Sequence, residues 1–178
     1  EIIPIVLGYL LGSIPSAYIV GRLLKGLDMR EVGDGHMGAA FTLRRVGFVG
    51  MVMVGLMDVS KGAAAVLISQ KLGLPLLVTA IAGLMAVTGH NWSIFLHFKG
   101  GKGALTTYGV LISLIFWQFL IALGLGGIAF FTTHKTGIST GVVLGSLSII
   151  NWLTGSPALI SILPILISLP MVLKHILM

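Results

Sequence analysis

ALTTYGVLISLIFWQFLIALGLGGIAFFTT, residues 104–133, runs for 30 residues without a Lys, Arg, Asp or Glu, and how it divides decides the fold. One helix of that length is about 45 Å long at 1.5 Å per residue, well beyond a hydrocarbon core of about 30 Å. The stretch is either one strongly tilted helix or two short ones. Working outward, apolar runs of membrane-spanning length cover residues 2–21, 46–70 and 74–96, and the remainder is cut at Thr154, Gly155, Ser156 and Pro157 into two further segments. Cytoplasmic loops collect Lys and Arg, so the basic residues choose between the divisions. A split near Trp117 and Gln118 gives seven spans. It puts Arg22, Lys25, Arg30, Arg44, Arg45, Lys99, Lys102, Lys135 and Lys174 on one side and only Lys71 on the other, with Lys61 inside the second span. An undivided helix moves Lys135 and Lys174 across, leaving seven against three. The predicted fold is an all-α, polytopic membrane bundle of seven transmembrane helices, one domain over residues 1–178, amino terminus outside and carboxy terminus cytoplasmic. The two halves of 104–133, each nearer 15 residues than 20, then call for local thinning of the bilayer or packing inside the bundle.

Composition agrees. The 178 residues are 56% hydrophobic and only 9% charged, with a mean hydropathy of +1.08. Soluble domains carry about 25% charged residues, so a soluble enzyme, a disordered tail and a nucleic-acid-binding domain are excluded. The net charge of +6 reports membrane orientation rather than a phosphate-backbone footprint. With no cysteine there is no disulfide framework, thiol nucleophile or Cys-based metal site. Residues 2–21 lack a preceding basic region and a following A-x-A-like site, so they read as a retained helix rather than a signal peptide. The chain starts at Glu1, and neither end is taken as native.

Three polar features fall on the basic side. Loop 22–45 contains GDGHMG, residues 33–38, followed by Arg44 and Arg45. Glycines alternating with polar residues let backbone N–H groups turn inward as an anion nest, and two arginines beyond can clamp a phosphate. An ordinary polar connection with membrane-anchoring arginines fits the same residues equally well. The second feature, GHNWSIFLHFKGGKG at 89–103, places Lys102 and a glycine turn at a helix amino terminus, where free N–H groups and the helix dipole attract anions. Two glycines between Lys99 and Lys102 fit poorly with mere end anchors, although snorkelling lysines and a capping His90 are the alternative. Third, Asp58 and Lys61 in MDVSKG lie inside an apolar span, where each charge costs roughly 2.5 to 3.5 kcal/mol. At i and i+3 they can pair with each other, or Lys61 can reach towards a phosphate site. There is no G-x-S-x-G elbow, H-E-x-x-H or Walker loop, and no His is followed five residues later by Asp. A Ser hydrolase, a zincin and a P-loop NTPase therefore lose support. His97 and His134 read as interface residues, and the eight methionines as core.

GSIPSAYIVGRLLKG, REVGDGHMGAA, MDVSKGAA and GHNWSIFLHFKGGKG, taken in order, resemble the PlsY family of bacterial membrane glycerol-3-phosphate acyltransferases, and the likeness covers almost the whole chain. The resemblance implies seven transmembrane helices in the bacterial inner membrane, with an active site facing the cytoplasm. It also implies a fatty acyl group moved from acyl phosphate to the 1-hydroxyl of glycerol 3-phosphate, giving lysophosphatidic acid in phospholipid synthesis. The implied mechanism is substrate-assisted and uses neither metal nor cofactor, with the acyl chain in an apolar groove among membrane lipids. By resemblance Lys102, Arg44 and His90 carry the chemistry. Gly33, Asp34, Gly35, His36 and Gly38, the turn Lys99, Gly100, Gly101 and Gly103, and Lys61, Asn91 and His175 bind or order the substrates.

The first loop departs from the family pattern G-S-G-N-x-G-A-T-N: Asp34 stands for Ser, His36 for Asn, and Ala40 and Phe41 for the closing Thr-Asn. A carboxylate about 4 Å from a phosphate is repelled by on the order of 4 kcal/mol per unit charge at an effective dielectric near 20, unless Asp34 turns away, is protonated or pairs with Arg44 or Arg45. The closing motif H-R-x-N begins at His175 but meets Met178 at its Asn position, so either the chain is cut or a substrate contact is lost. A paralogue with another acyl acceptor and a non-catalytic lipid-binding protein are the alternative functions.

Overall fold

The computed structural model describes residues 2–32 and 37–177, and among these every regular element is helical. In chain order they are α1 (Ile2–Ser13), α2 (Ser16–Lys25), α3 (Ala39–Arg45), α4 (Phe48–Lys71), α5 (Leu76–Asn91), a 3₁₀ turn at Ile94–Leu96, α6 (Ala104–Leu114), α7 (Phe116–Thr133), α8 (Thr136–Leu153) and α9 (Ala158–Ile176). Among the described residues six stretches are long and apolar enough to cross a membrane: Ile2–Lys25, Phe48–Lys71, Leu76–Leu96, Phe116–Thr133, Thr136–Leu153 and Ala158–Ile176.

Residues 104–133 do divide, but at Ile115, two residues before the expected place, and unequally. α6 has 11 residues and α7 has 18. Ile115 leaves the helix with φ −145° and ψ 63°, and its side chain is buried beside Phe119 in the main apolar core. The reason lies in packing rather than composition. α6 presses against α4, where a Cβ on Gly109 would overlap the Val59 carbonyl oxygen and one on Gly62 the Thr106 carbonyl oxygen. A continuous helix could not follow α4 so closely and also swing out along α8, as α7 does.

The first apolar run is likewise not one helix. It breaks at Ile14 and Pro15 and continues to Lys25, beyond the expected end at Gly21. Proline has no N–H to donate and disfavours a helical residue before it, so Ile14 ends α1. At the break the Ile14 carbonyl oxygen accepts both the Ser16 N–H, at 3.0 Å, and Lys61 Nζ, at 3.1 Å.

The described start of loop 22–45 is held by an acidic residue. Asp28 takes Arg30 in two-pronged fashion, Nε to Oδ1 at 2.9 Å and Nη2 to Oδ2 at 2.7 Å, and Arg22 Nη2 at 3.2 Å. Both guanidinium groups lie near the Tyr18 ring, at 5.0 and 5.9 Å from its centre. Two of the bases counted for topology thus also fasten the end of α2. The Arg30 hydrogen bonds hold the Asp28 carboxyl down at about 2. A carboxylate with its folded pKa depressed stabilises the fold above its unfolded value near 4, and that contribution fades as pH falls through about 2. Asp28→Asn at neutral pH should therefore raise the rate of protease cleavage within residues 27–32 several-fold, a rate the parent reaches only in strong acid.

α1 and α5 pack backbone to backbone: a Cβ at Gly12 would overlap the Ala86 carbonyl oxygen, and one at Gly8 the Ala82 carbonyl oxygen. Close approach by small residues is how helices associate where lipid removes the hydrophobic incentive. Gly12→Ala should lower stability by about 1–3 kcal/mol through overpacking. Gly141→Ala, on a face of α8 with open space around it, should be neutral or slightly stabilising because alanine is the better helix former. Thermal unfolding of both variants in detergent checks the contrast.

Candidate active site

A cleft of about 620 Å³ opens between α3, α4, α6, α8 and the turn that precedes α6. Arg44 enters it from the last turn of α3, and Lys102 from the glycine turn. Both are exposed. Asp58 and His90 form part of its floor, while Tyr108, Ser139 and Thr140 line the far wall with Phe41, Leu105 and Phe130; the Ser139 hydroxyl itself donates to the Gly126 carbonyl oxygen at 2.8 Å. Tyr108 donates from its hydroxyl to Thr140 Oγ1 at 3.3 Å.

The glycine turn is held from behind. The Gly101 N–H donates to the His90 carbonyl oxygen at 3.2 Å, so this amide is not available to an anion. A Cβ on Gly101 would overlap His90 Nε2, and one on Gly100 the His90 carbonyl oxygen. Gly103 has φ +81°, a left-handed conformation suited to glycine, and lies against the Asn91 side chain. Asn91 is fully buried and donates from Nδ2 to the Pro170 carbonyl oxygen at 3.0 Å. Lys102 thus projects into the cleft from between two buried glycines. The first-turn amides of α6, capped by no side chain, add the positive end of the helix dipole.

Asp58, 2% exposed, gathers three donors. Ser16 Oγ lies 2.8 Å and Lys61 Nζ 2.9 Å from its Oδ1, and His90 Nδ1 approaches the same oxygen at 3.5 Å. The Asp58–Lys61 pairing at i and i+3 anticipated from the sequence is present. Lys61 also donates to Ile14 and faces the interior, outside the residues lining the cleft.

Of the residues singled out in the sequence, the fold brings Arg44, His90, Gly38, Gly101, Lys102 and Gly103 to one cleft. Asn91 and Gly100 stand directly behind it. Lys99 and His175 are exposed and do not line it. Gly38 is extended, with φ −141°, and begins α3. Gly33, Asp34, Gly35 and His36 lie outside the described residues, as therefore do the proposed nest and the orientation of Asp34. Sequence reasoning missed Asp58 as part of the floor and missed the far wall. Ser139 and Thr140, adjacent in a span that also carries Thr136, Ser146, Ser148 and Asn151, are a faint sign of that wall in the sequence.

A sequence model of the family described as glycerol-3-phosphate acyltransferase matches residues 2–177. A Moorella thermoacetica protein named glycerol-3-phosphate acyltransferase 2 is 51% identical over 125 residues, which are 67% of this chain and 63% of that protein. A Synechococcus protein named glycerol-3-phosphate acyltransferase is 37% identical over 169 residues, 95% of this chain and 84% of its own. The crystal structure of PlsY, an integral membrane glycerol 3-phosphate acyltransferase, in its glycerol 3-phosphate form superposes with a TM-score of 0.88 at 28% identity, covering 98% of this chain and 87% of that one. Its lysophosphatidic acid form gives 0.87 at 27% identity over the same shares. An all-helical bundle with a cationic glycine turn, matched along nearly its whole length by sequence and by fold, belongs to the glycerol-3-phosphate acyltransferase family of integral membrane proteins.

Proposed function

We propose that this chain transfers a fatty acyl group from acyl phosphate to the 1-hydroxyl of glycerol 3-phosphate at the cytoplasmic face of the bacterial inner membrane. The observation that carries the reading is that Arg44 and Lys102 line one cleft beside a glycine turn and a helix amino terminus. Two phosphates have to be brought together there, and cations with aligned N–H groups offset their repulsion. Arg44 and Lys102 hold the phosphate of glycerol 3-phosphate, and the first-turn amides of α6 support the donor. The hydroxyl oxygen attacks the acyl carbonyl carbon, the carbon–oxygen bond to phosphate breaks, and the hydroxyl proton leaves with the donor's phosphate. The products are lysophosphatidic acid and inorganic phosphate. Catalysis is then positioning and electrostatics, with no metal or cofactor in the scheme.

The topology belongs to the same reading. With α6 counted as a short seventh crossing, the amino terminus is outside and the carboxy terminus cytoplasmic, and nine of the basic residues share the side of the cleft. The acyl chain enters from the bilayer along the apolar part of the cleft.

Protein reconstituted in liposomes should convert palmitoyl phosphate and glycerol 3-phosphate to lysophosphatidic acid, read by mass spectrometry, and release phosphate only when both substrates are present. Lys102→Ala should lower kcat/KM by about 10²–10³-fold, the scale of removing one donor that stabilises developing charge. Absence of product from the parent chain, or an unaffected Lys102→Ala, rejects the assignment; product only with a different acceptor alcohol points to the paralogue.

A further inference from the structure

We propose that Asp58 and His90 are a positioning pair that sets the orientation of the Lys102 turn. The inference deepens the acyltransferase reading and rests on it for its kinetic part. Three observations converge. Asp58 cannot drift, because Ser16 from the start of α2 and Lys61 from its own helix both hold Oδ1, within 2.8 and 2.9 Å. His90 faces that oxygen through Nδ1 at 3.5 Å, while its other ring nitrogen is in contact with Gly101 and its carbonyl oxygen receives the Gly101 N–H. Behind the turn lies only a small chamber of about 10 Å³, bounded by Asp58, Lys61, His90, Gly100 and Gly101, room for about one water molecule. The turn therefore has a solid back wall, built of the ion cluster, and an open front that carries Lys102.

This arrangement gives Asp58 a task beyond pairing with Lys61. A two-residue ion pair needs neither Ser16 nor a histidine ring wedged against a glycine. If His90 rotates, the surface on which Gly101 lies is lost and the direction of Lys102 changes with it. Errors of about 1 Å in a positioned group are costly where the rate comes from placement. Neither Asp58 nor His90 needs to touch the reacting atoms; both act through the turn.

The test combines kinetics with amide exchange on the full chain in lipid. Asp58→Asn should lower kcat by about 30-fold while KM for glycerol 3-phosphate moves less than about threefold, since Arg44 still supplies ground-state binding. In the Lys102→Arg background the same change should cost no more than about a further threefold, because both substitutions damage one element; independent effects would multiply. Hydrogen–deuterium exchange in peptides covering residues 98–106 should rise about tenfold in Asp58→Asn and not in the exposed control Lys71→Ala. Unchanged exchange, multiplicative kinetics or parental turnover would each overturn the proposal. If the parent chain itself makes no product, the acyltransferase reading fails, and the exchange arm still decides whether Asp58 holds the turn. Should Asp58→Asn fail to fold, His90→Asn replaces it: this keeps an N–H near the place of Nδ1, removes the ring edge against Gly101, and is expected to give the same rise in exchange.

Discussion

A carboxylate inside a membrane bundle must be surrounded by donors, and the surroundings of Asp58 dictate much of the architecture. Each charge at such depth costs roughly 2.5 to 3.5 kcal/mol, and breaking a buried pair on one side leaves the other charge uncompensated. Here the donors come from α2, α4 and α5, so those three elements have to meet at one point. The break at Pro15 makes the meeting possible. In an unbroken helix the Ile14 carbonyl would accept the N–H four residues on; with the break it accepts the Ser16 N–H and Lys61 Nζ. Ser16, the first residue of α2, is at the same time turned towards Asp58.

The same point of convergence supports the turn at 100–103. α5 ends at Asn91, and its last two residues are the ones on which the glycines lie. The close packing of α1 on α5 through Gly8 and Gly12 keeps that end in register with α4. Backbone contact along α1 and α5, the ion cluster where those two helices end and the direction of Lys102 form one mechanical chain. The cleft in front has two characters. Its basic residues, Arg44 and Lys102, come from the last turn of α3 and the glycine turn, and its rings, Phe41, Tyr108 and Phe130, from α3, α6 and α7.

Much of this was legible in the sequence, for reasons that differ by element. The apolar runs were visible because lipid demands long uncharged helices, and the turn was visible because a local pattern, KGGKG, does its work within five residues. The break at Ile115 was missed by two residues because nothing in the composition marks it; the contact with α4 sets it. Pro15 was in plain view, yet the uniform hydropathy of residues 2–21 made one helix the natural reading. Asp58 and Lys61 announced themselves at i and i+3, whereas Ser16, 42 residues away, could be joined to them only by the fold. His175 matches a family position by its neighbours in sequence, but sits on the exposed side of the end of α9.

The disposition of the titratable groups also favours one division of labour between protein and substrate. Among the described residues His90 is the one imidazole that lines the cleft, and its two nitrogens face Asp58 and Gly101 rather than the open space. Lys61 is turned inward on Asp58 and Ile14. Arg44 and Lys102 present two cations to the cleft, groups that orient and stabilise anions. A base matched to neutral conditions needs a pKa close to the working pH. Phosphate monoesters, with a second ionisation near 6, have one. In the reaction proposed above, the donor's own phosphate would serve as that acceptor, and the protein would be left with the work of placement, for which its buried ion cluster is suited.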